Sequence, residues 1–255
     1  MALYDSIGRD YAELRRPDQR IASIIDKTLR DAGSVVNVGA GAGSYEPLSR
    51  TVLAVEPSEV MIRQRPAGAA ACFQGWAEAL PVKTVSVDAA MAVLTVHHWT
   101  DLERGLSEMA RVARKRVVVL TWVPDARPFW LTEDYFPEIA AIDRKIFLST
   151  SALTKMLERV IGQVHIEPAP IPHDCTDGFL GAYWRRPESY LSIDARSAIS
   201  SFTKIDPEPG LAKLRSDLES GYWAERNHHL LGLDELDIGY RILRCEIELQ
   251  RRTPS

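Results

Sequence analysis

Closely spaced glycines follow an apolar run in the segment VVNVGAGAGSYEPL, residues 35–48. Gly39, Gly41 and Gly43 are costly in conformational entropy and supply no side chains for a core, so the backbone is expected to come very near another group. A strand, a glycine loop and a helix present backbone N–H groups to a nucleotide-like ligand beyond the carboxyl ends of the strands. The spacing G-x-G-x-G differs from the G-x-G-x-x-G of dinucleotide sites.

A carboxylate and a pair of histidines stand where further chemistry is expected. Glu56 ends the next apolar run, TVLAVE, where it can accept hydrogen bonds from both ribose hydroxyls; the plainer alternative is a tight turn with a surface glutamate. His97 and His98, in HHW, titrate near neutral pH, which suits a general base. The alternative is that they shape a pocket wall or bond a backbone carbonyl. Because neighbouring side chains alternate faces in an extended chain, at most one is expected to point inward.

The elements that must position these residues alternate between extended and helical patterns. Strands are predicted at SVVNV (34–38), TVLAVE (51–56), ACFQG (71–75), VDAAMAVLTV (87–96), RVVVLTW (116–122), VHIEPAPIP (164–172) and LDIGYRIL (236–243). Helices are predicted at 18–33 between an Asp18 N-cap and Gly33, at SEVMIRQR (58–65), after a capping box of Thr100 and Glu103, and at SALTKMLERVIG (151–162). The segment VPDARPFWLTEDYFP (123–137) is predicted as a loop or lid. Apolar strands alternating with amphipathic helices predict an α/β fold with a parallel sheet covered on both faces.

Length and composition are those of an ordinary soluble globular chain. Its 255 residues suit one large domain, predicted to span 1–255. Lys plus Arg number 31 against 35 for Asp plus Glu, a net charge of −4, which argues against nucleic acid as a partner because phosphate binding needs a basic surface. No apolar stretch is long enough for a bilayer, and the three scattered cysteines match neither a disulfide framework nor a metal site. The sequence therefore predicts no membrane contact, no metal and a cytoplasmic location.

Four ordered segments, VVNVGAGAGSYEPL, VLAVEPSEVM, GWAEALPV and VDAAMAVLTVHHWTD, resemble class I S-adenosylmethionine-dependent methyltransferases. The similarity is to the small-molecule branch that includes the ubiquinone/menaquinone-biosynthesis type (methyltransferase type 11), and it covers about Tyr4 to Trp122. The resemblance implies a Rossmann-like fold with a seven-stranded, mostly parallel sheet and helices on both faces. It also implies an N-terminal lid helix within 1–33, a cofactor-binding half over 34–122, and a substrate-side half with an insertion over 123–255.

The resemblance implies S-adenosyl-L-methionine as cofactor and S-adenosyl-L-homocysteine as its product. The residues expected to contact the cofactor are Asn37, Gly39, Ala40 and Gly41 at the methionine part and the ribose, Glu56 at the ribose diol, Pro57, Ser58 and Met61 near the adenine, Trp76, Ala77 and Glu78 at the adenine edge, and Leu94 and Thr95 beside the sulfonium. Two positions depart from the family, because Asn37 replaces an acidic residue and Trp76 replaces an Asp. Asn37 still accepts a hydrogen bond but brings no charge. Trp76 can only stack or cap, so Glu78 is the candidate acceptor for the adenine amino group.

Substrate contacts are expected in an N-terminal segment, beside the histidines and in a polar, aromatic cluster at 171–191. The residues expected there are Tyr4, Tyr11, Arg16, Trp99, His173, Asp174 and Trp184. In relatives the N-terminal segment folds over the cofactor; the alternative is an amphipathic surface helix. For the cluster, a substrate wall competes with a helix start capped by Asp174 or Asp177, with Trp184 in the core.

The predicted reaction transfers the methyl group of S-adenosylmethionine to an O, N or C atom of a small organic acceptor. Aromatic residues in the second half favour an apolar or aromatic acceptor: Trp122, Phe129, Trp130, Tyr135 and Phe136. Two alternatives stand beside this prediction. An NAD(P)-dependent oxidoreductase would place its third glycine at Ser44 rather than Gly43, and a regulatory protein would bind the cofactor without turnover. A small-molecule acceptor and a second copy of the chain, in a homodimer, are the candidate partners.

Overall fold

A seven-stranded sheet forms the centre of the computed structural model, which describes residues 15–247. The strands in chain order are β1 Ser34–Val38, β2 Thr51–Glu56, β3 Ala71–Gln74, β4 Val87–Val93, β5 Ala113–Trp122, β6 Val164–Pro168, β7 Ile171–Pro172, β8 Glu235–Leu236 and β9 Tyr240–Glu246. The helices are α1 Gln19–Leu29, α2 Glu59–Arg63, α3 Leu102–Val112, α4 Pro137–Ile146, α5 Thr150–Val160, α6 Ile193–Ser197, α7 Glu208–Glu219 and α8 Tyr222–Arg226. Shorter helical turns span Val96–His98, Leu131–Tyr135, Pro187–Leu191, Ser200–Lys204 and His228–Leu230. No helix within residues 15–247 is long and apolar enough to cross a membrane.

The strand order reverses direction at β1. In the sheet order β3-β2-β1-β4-β5-β9-β6, β1 pairs in parallel with β2 on one side and with β4 on the other. Strand β9 runs antiparallel to both β5 and β6. The predicted seven-stranded, mostly parallel sheet is confirmed. In such sheets a ligand binds beyond the carboxyl ends of the strands at the point of reversal, here the ends of β1 and β4.

Helices cover both faces of the sheet, as predicted. Ala89 and Met91 of β4 belong to the same apolar cluster as the inner face of α1. Ala90 and Ala92 belong to the opposite cluster, with α3 and α5. Successive side chains of a strand point to opposite faces, so a strand that is covered on both sides is apolar along its whole length. This double burial explains the continuous apolar run in VDAAMAV.

Two strand ends differ from the prediction because the backbone turns into the left-handed region. Strand β4 ends at Val93, since Leu94 has φ 53° and the chain then enters a helical turn. Strand β9 begins at Tyr240 rather than at residue 236, since Gly239 has φ 105°. Tyr240 pairs with Trp122, so both breaks lie at the carboxyl end of the parallel strands. The predicted strand at 164–172 is likewise divided into β6 and β7, and β7 pairs with β8 in a separate small sheet.

Two helix ends also differ. Helix α1 begins after Asp18, as predicted, but its C-cap is Arg30 with φ 50° rather than Gly33. Helix α3 begins after Asp101, whose carboxylate accepts a hydrogen bond from a backbone N–H of the first turn. The predicted capping box that starts at Thr100 is therefore wrong. Asp and Thr both serve as N-caps, and local sequence does not decide between neighbours.

In the segment 123–137, predicted as a loop or lid, residues 124–128 form a loop, whereas Phe129, Trp130, Leu131, Tyr135 and Phe136 are buried in the core. The ring of Trp130 packs edge-on against Phe129, Tyr135 and Trp223, with centroid distances of 5.6, 5.8 and 5.2 Å. This edge-to-face geometry is the one that aromatic pairs prefer. The indole Nε1 of Trp130 also donates to the carbonyl oxygen of Trp184 at 2.9 Å. Most aromatic residues of this segment therefore pack against one another and against distant parts of the chain in the core.

Candidate active site

A first cavity lies at the carboxyl ends of β1, β2 and β4 and has an empty volume of about 1000 Å³. All of the predicted cofactor residues except Ser58 line this cavity: Asn37, Gly39, Ala40, Gly41, Glu56, Pro57, Met61, Trp76, Ala77, Glu78, Leu94 and Thr95. Ser58 is buried outside it and caps α2 by accepting a hydrogen bond from the backbone N–H of Met61. The expectation that Ser58 meets the adenine is therefore replaced by a structural role.

The glycine loop has a left-handed backbone. Gly39, Gly41 and Gly43 have φ of 68°, 53° and 98°. A Cβ atom on Gly39 would overlap the side chain of Thr95, and one on Gly41 would lie 3.3 Å from the end of Met61. Glycine at position 39 is thus required by the close approach of Thr95, just after β4, as well as by backbone conformation. As predicted, another group lies very near the backbone of Gly39, and that group is the side chain of Thr95.

Glu56 ties the glycine loop to the start of α2. Its Oε2 accepts a hydrogen bond from the N–H of Gly41 at 2.8 Å, and its Oε1 accepts one from the N–H of Ser58 at 2.9 Å. The residue is only 5% exposed, and it also lines the cavity. Glu56 thus holds the glycine loop and the N-terminus of α2 together at the cavity wall.

A buried ion pair orients the amide of Asn37. Asn37 Nδ2 donates to Glu46 Oε1 at 3.3 Å, and Arg65 pairs with the same carboxylate at 2.8 Å. Because the amino side of the amide faces Glu46, Oδ1 is the atom left to accept a hydrogen bond from a ligand. Sequence reasoning did not single out Glu46 or Arg65, although both lie close to the quoted glycine and adenine motifs.

The rim of the first cavity combines Trp76, Glu78 and Trp99. Trp76 is 50% exposed, which leaves one side of its ring open to a ligand. Glu78 Oε1 accepts hydrogen bonds from the N–H and the Oγ1 of Thr100, at 2.8 and 2.9 Å. Burial raises the pKa of Glu78, but hydrogen bonds from Asp101 and Thr100 outweigh it and leave the pKa below its ordinary value. Glu78 thus holds the start of α3 as well as lining the cavity. Trp99, expected at the substrate, lines this cavity and also a smaller one that it shares with His97 and Phe147.

A second cavity adjoins the first and has an empty volume of about 610 Å³. The two cavities share Arg15 and Leu94 in their walls. The apolar residues that line the second cavity include Trp122, Ile146, Phe147, Phe179, Leu180, Ile199 and Tyr240. Its other polar residues are His97, Asp143, Ser200, Ser201 and Lys204. Of the five aromatic residues that predicted an apolar acceptor, Trp122 alone lines either cavity; other aromatic residues form the walls.

The two histidines lie where the cavities meet. They belong to the helical turn Val96–His98, in which successive side chains are rotated by about 120°, so the expectation from an extended chain is wrong. His98 lines the first cavity and His97 the second. Their ring centroids are 3.8 Å apart, and the ring of His97 also lies 4.8 Å from that of Phe147. Both histidines therefore point inward, each toward a different cavity.

Both imidazoles are neutral near pH 7. Burial, assisted by the charges of Lys204 and Arg15, lowers the pKa of His98 to about 4. Burial lowers the pKa of His97 well below its ordinary value, and the charges of His98, Lys204 and Arg15 act in the same direction. Nδ1 of His97 is buried without a hydrogen-bond partner among residues 15–247. Each ring can accept a proton, but a low pKa makes it a weak base.

Asp143, on α4, is a site residue that sequence reasoning missed. It is 2% exposed and lines the second cavity, and its Oδ2 has no hydrogen-bond partner in the described part of the chain. Burial raises the pKa of Asp143 to about 7, although the charges of Lys204 and Arg144 oppose this. In PEIAAIDRKI the residue is one of several charged positions, and no sequence signal distinguishes it from a solvated one.

Arg15 lines both cavities, whereas the sequence predicted its neighbour Arg16 as the site residue. Its Nε donates to Asp177 Oδ1 at 2.5 Å, and the hydroxyl of Tyr45 donates to Asp177 Oδ2 at 2.8 Å. Arg15 and Tyr45 line the first cavity, whereas Arg16 is exposed and lines neither cavity. The two predicted tyrosines of the N-terminal segment, Tyr4 and Tyr11, lie outside the described residues.

Of the residues predicted as a substrate wall at 171–191, His173, Asp174 and Trp184 line neither cavity, whereas Phe179 and Leu180 line the second. His173 Nδ1 is 3.1 Å from the carbonyl oxygen of Asp234, and exposed Asp174 pairs with Arg20 at 2.6 Å. Trp184 is fully buried, and its Nε1 donates to the carbonyl oxygen of Ile171 at 2.8 Å. Trp184 therefore lies in the core, which was the alternative to a place in the substrate wall. Within residues 15–247, no group of three or more His, Cys, Asp or Glu side chains could hold a metal ion.

Comparisons with known proteins agree with this geometry. Residues 36–121 match a family model described as a methyltransferase domain. A solved structure from Anabaena variabilis ATCC 29413, assigned as a methyltransferase from an antibiotic biosynthesis pathway, is 34% identical. That alignment covers 92% of this chain and 99% of the other, with a TM-score of 0.85. No curated protein matches the chain.

Two more distant structures share the fold. An S-adenosylmethionine-dependent methyltransferase from Thermotoga maritima is 17% identical, with a TM-score of 0.56 and coverage of 96% of this chain and 92% of that one. Phosphoethanolamine N-methyltransferase 2 from Haemonchus contortus, in complex with S-adenosyl-L-methionine, is 12% identical, with a TM-score of 0.53 and coverage of 89% and 52%. Likeness at these identities is a likeness of fold alone.

Proposed function

Because this chain belongs to the class I S-adenosylmethionine-dependent methyltransferases, with S-adenosylmethionine as cofactor, we propose that it methylates an O, N or C atom of a small, largely apolar acceptor in the second cavity. The observation that supports the proposal is the common wall. Arg15 and Leu94 line both cavities, and His98 and His97 continue that wall from one cavity to the other. A donor in the first cavity and an acceptor in the second would therefore meet at the carboxyl end of β4.

The residues of the first cavity fit S-adenosylmethionine chemically. The buried carboxylate of Glu56 suits ribose hydroxyls, Oδ1 of Asn37 suits the methionine ammonium, and the open face of Trp76 suits the adenine ring. The bound cofactor supplies a methyl group that its sulfonium has already activated. What remains for the chain is to exclude water and to hold the acceptor in line.

His97 is the histidine that we place on the acceptor side. It lines the second cavity and has a buried Nδ1 without a partner among the described residues. Its lowered pKa suits an acceptor that gives up its proton readily, such as a phenol, because a weak base needs an acidic donor. His98 lines the cofactor side, so its proposed role is to position His97 through their ring contact.

Titration calorimetry with S-adenosylmethionine, S-adenosylhomocysteine and NADH in parallel tests the cofactor part of the proposal. Micromolar binding of the first two ligands and none of NADH is expected. Glu56→Gln should weaken that binding at least tenfold, since the amide keeps an acceptor oxygen but loses the charge. Glu59→Gln is the matched control, because Glu59 is exposed on α2 and, among residues 15–247, forms an ion pair only with Arg63. Binding of NADH alone, or equal loss in both variants, would contradict the proposal.

Turnover separates an enzyme from a regulatory protein. Incubation with S-adenosylmethionine and pools of small aromatic metabolites, followed by mass spectrometry, should yield S-adenosylhomocysteine and an acceptor heavier by one methylene. The assignment of the Anabaena relative to an antibiotic biosynthesis pathway supports specialised metabolites as the first pools. Tight cofactor binding without demethylated product from any pool would favour the regulatory alternative.

A further inference from the structure

The second cavity contains one acidic side chain among the described residues that line it, Asp143. Nothing in the local structure of α4 requires a carboxyl there. The neighbouring Ile139 is a core residue of the same helix, and Phe147 closes the helix with an ordinary backbone hydrogen bond. A leucine at this position would suit both the helix and the apolar walls around it.

A buried carboxyl without a partner is costly. Transfer of such a group from water is unfavourable unless hydrogen bonds replace those it loses, and buried polar groups in native proteins nearly always have them. Oδ2 of Asp143 has no partner within residues 15–247. A buried carboxyl that lacks a partner at the wall of a cavity indicates that a ligand supplies the missing hydrogen-bond donor.

The charges around the cavity restrict what that ligand can be. Arg15 and Lys204 also line it, and both act electrostatically on the neighbouring histidine. Arg15 is neutralised by Asp177, but Lys204 adds a positive charge near the opening. A cationic amine would be repelled by these residues, whereas a neutral hydroxyl or N–H group would not.

We propose that Asp143 determines the specificity of the acceptor site, and that the acceptor is a neutral molecule with an apolar body and a hydroxyl or N–H group that donates a hydrogen bond to this carboxyl. The inference rests on the proposed function. Torsion about the terminal bond of an Asp side chain is broad, so either carboxyl oxygen can turn toward the cavity. The aromatic rings of Trp122, Phe147 and Phe179 contact the apolar body.

Matched ligand pairs test this inference on the full chain saturated with S-adenosylhomocysteine. The probes are indole against 1-methylindole and 2-naphthol against 2-methoxynaphthalene, each titrated by ligand-observed NMR. Members with a donor should bind at least tenfold more tightly than their blocked partners. Asp143→Leu should abolish that preference while leaving affinity for the blocked members equal or higher. Asp143→Asn, which keeps an acceptor oxygen, should retain part of it.

Glu138→Leu is the control, because Glu138 is exposed on the same helix and lines neither cavity. Equal binding within both pairs, no binding by any probe, or a preference that survives Asp143→Leu would overturn the inference. Each of these results would leave the proposed function standing as long as S-adenosylhomocysteine binds. Failure of S-adenosylhomocysteine to bind would instead overturn the proposed function, and the inference with it.

Discussion

Asp143 should make the stability of this protein depend on pH in a direction opposite to that of most aspartates. Its carboxyl is buried and unpartnered at Oδ2, so the charged form is penalised in the folded state. The perturbation is Asp143→Asn, which keeps size and polarity but removes the titration. The charged and titratable groups that face the carboxyl are His97, Lys204, Arg144, Arg15 and Tyr240.

The magnitude follows from the difference between the folded and unfolded proton affinities. The pKa of Asp143 rises from 3.8 to about 7, which at about 1.4 kcal/mol per pKa unit gives about 4 kcal/mol as an upper limit. Between these two values the folded chain holds a proton that the unfolded chain releases, so stability falls as pH rises from about 4 to about 7 and is constant above that. Water that enters the cavity would reduce the penalty.

Urea unfolding of the wild type and Asp143→Asn at pH 5 and pH 8 measures this effect. The variant should be more stable than the wild type by about 1.5 kcal/mol at pH 5 and by about 2–4 kcal/mol at pH 8, since the stability of the wild type falls from about pH 4 upward as its unfolded form releases the proton of Asp143. Glu138→Gln, on the exposed side of the same helix, should change the unfolding free energy by under about 0.5 kcal/mol at both pH values. A variant that is less stable than the wild type at pH 8, or a difference that is the same at both pH values, would refute the reasoning.

Three further substitutions test the packing around the cavities. Gly39→Ala should lower the free energy of unfolding in urea by about 2–4 kcal/mol, because φ is 68° and a Cβ meets Thr95. Adding Thr95→Ala to Gly39→Ala should restore the part of this loss that is due to the contact, and purely additive losses of the two substitutions would contradict the contact. Asp177→Asn should lower the free energy of unfolding by about 3 kcal/mol, because it removes the charged partner of Arg15, whose side chain is only 10% exposed. Asp174→Asn, in an exposed pair with Arg20, should lower it by under about 1 kcal/mol, and similar losses in the two variants would contradict this reasoning. His98→Gln should reduce the loss of thermal stability as pH falls from 6.5 to about 4, because the folded pKa of His98 is about 4; an unchanged slope would show that His98 titrates normally.

The cofactor side of the site could be predicted because its signals are local. Glycines with left-handed backbone angles, a carboxylate at the end of the next strand and an apolar run before each of them stand close together in sequence. Apolar runs, glycines and a carboxylate in this order have few structural uses, so the sequence predicts how these residues are arranged in the fold. Ser58 shows the limit of this reasoning, because a serine before a short helix is also an ordinary N-cap, and that is its role in the structure.

The acceptor side could not be predicted in the same way. Arg15 and Arg16 are adjacent and chemically equal, yet one is paired beside the cavities and the other is exposed. The prediction for the two histidines assumed an extended chain, and a short helical turn after Leu94 gave both rings inward positions. Trp184 lies in an aromatic cluster whose members come from distant segments. In each case the deciding neighbour is far away in the sequence.

The sequence by itself determined the fold class, because the periodicity of apolar residues acts over a few residues at a time, and its four ordered segments carried the resemblance that implied the cofactor. Only the tertiary structure decided which polar groups are buried, paired or left without a partner. Arg15 meets Asp177 across 162 positions of chain, and Asp143 reaches a cavity wall built from six other segments. Burial and pairing set the pKa and the cost of a charge, and they depend on neighbours that local sequence does not contain.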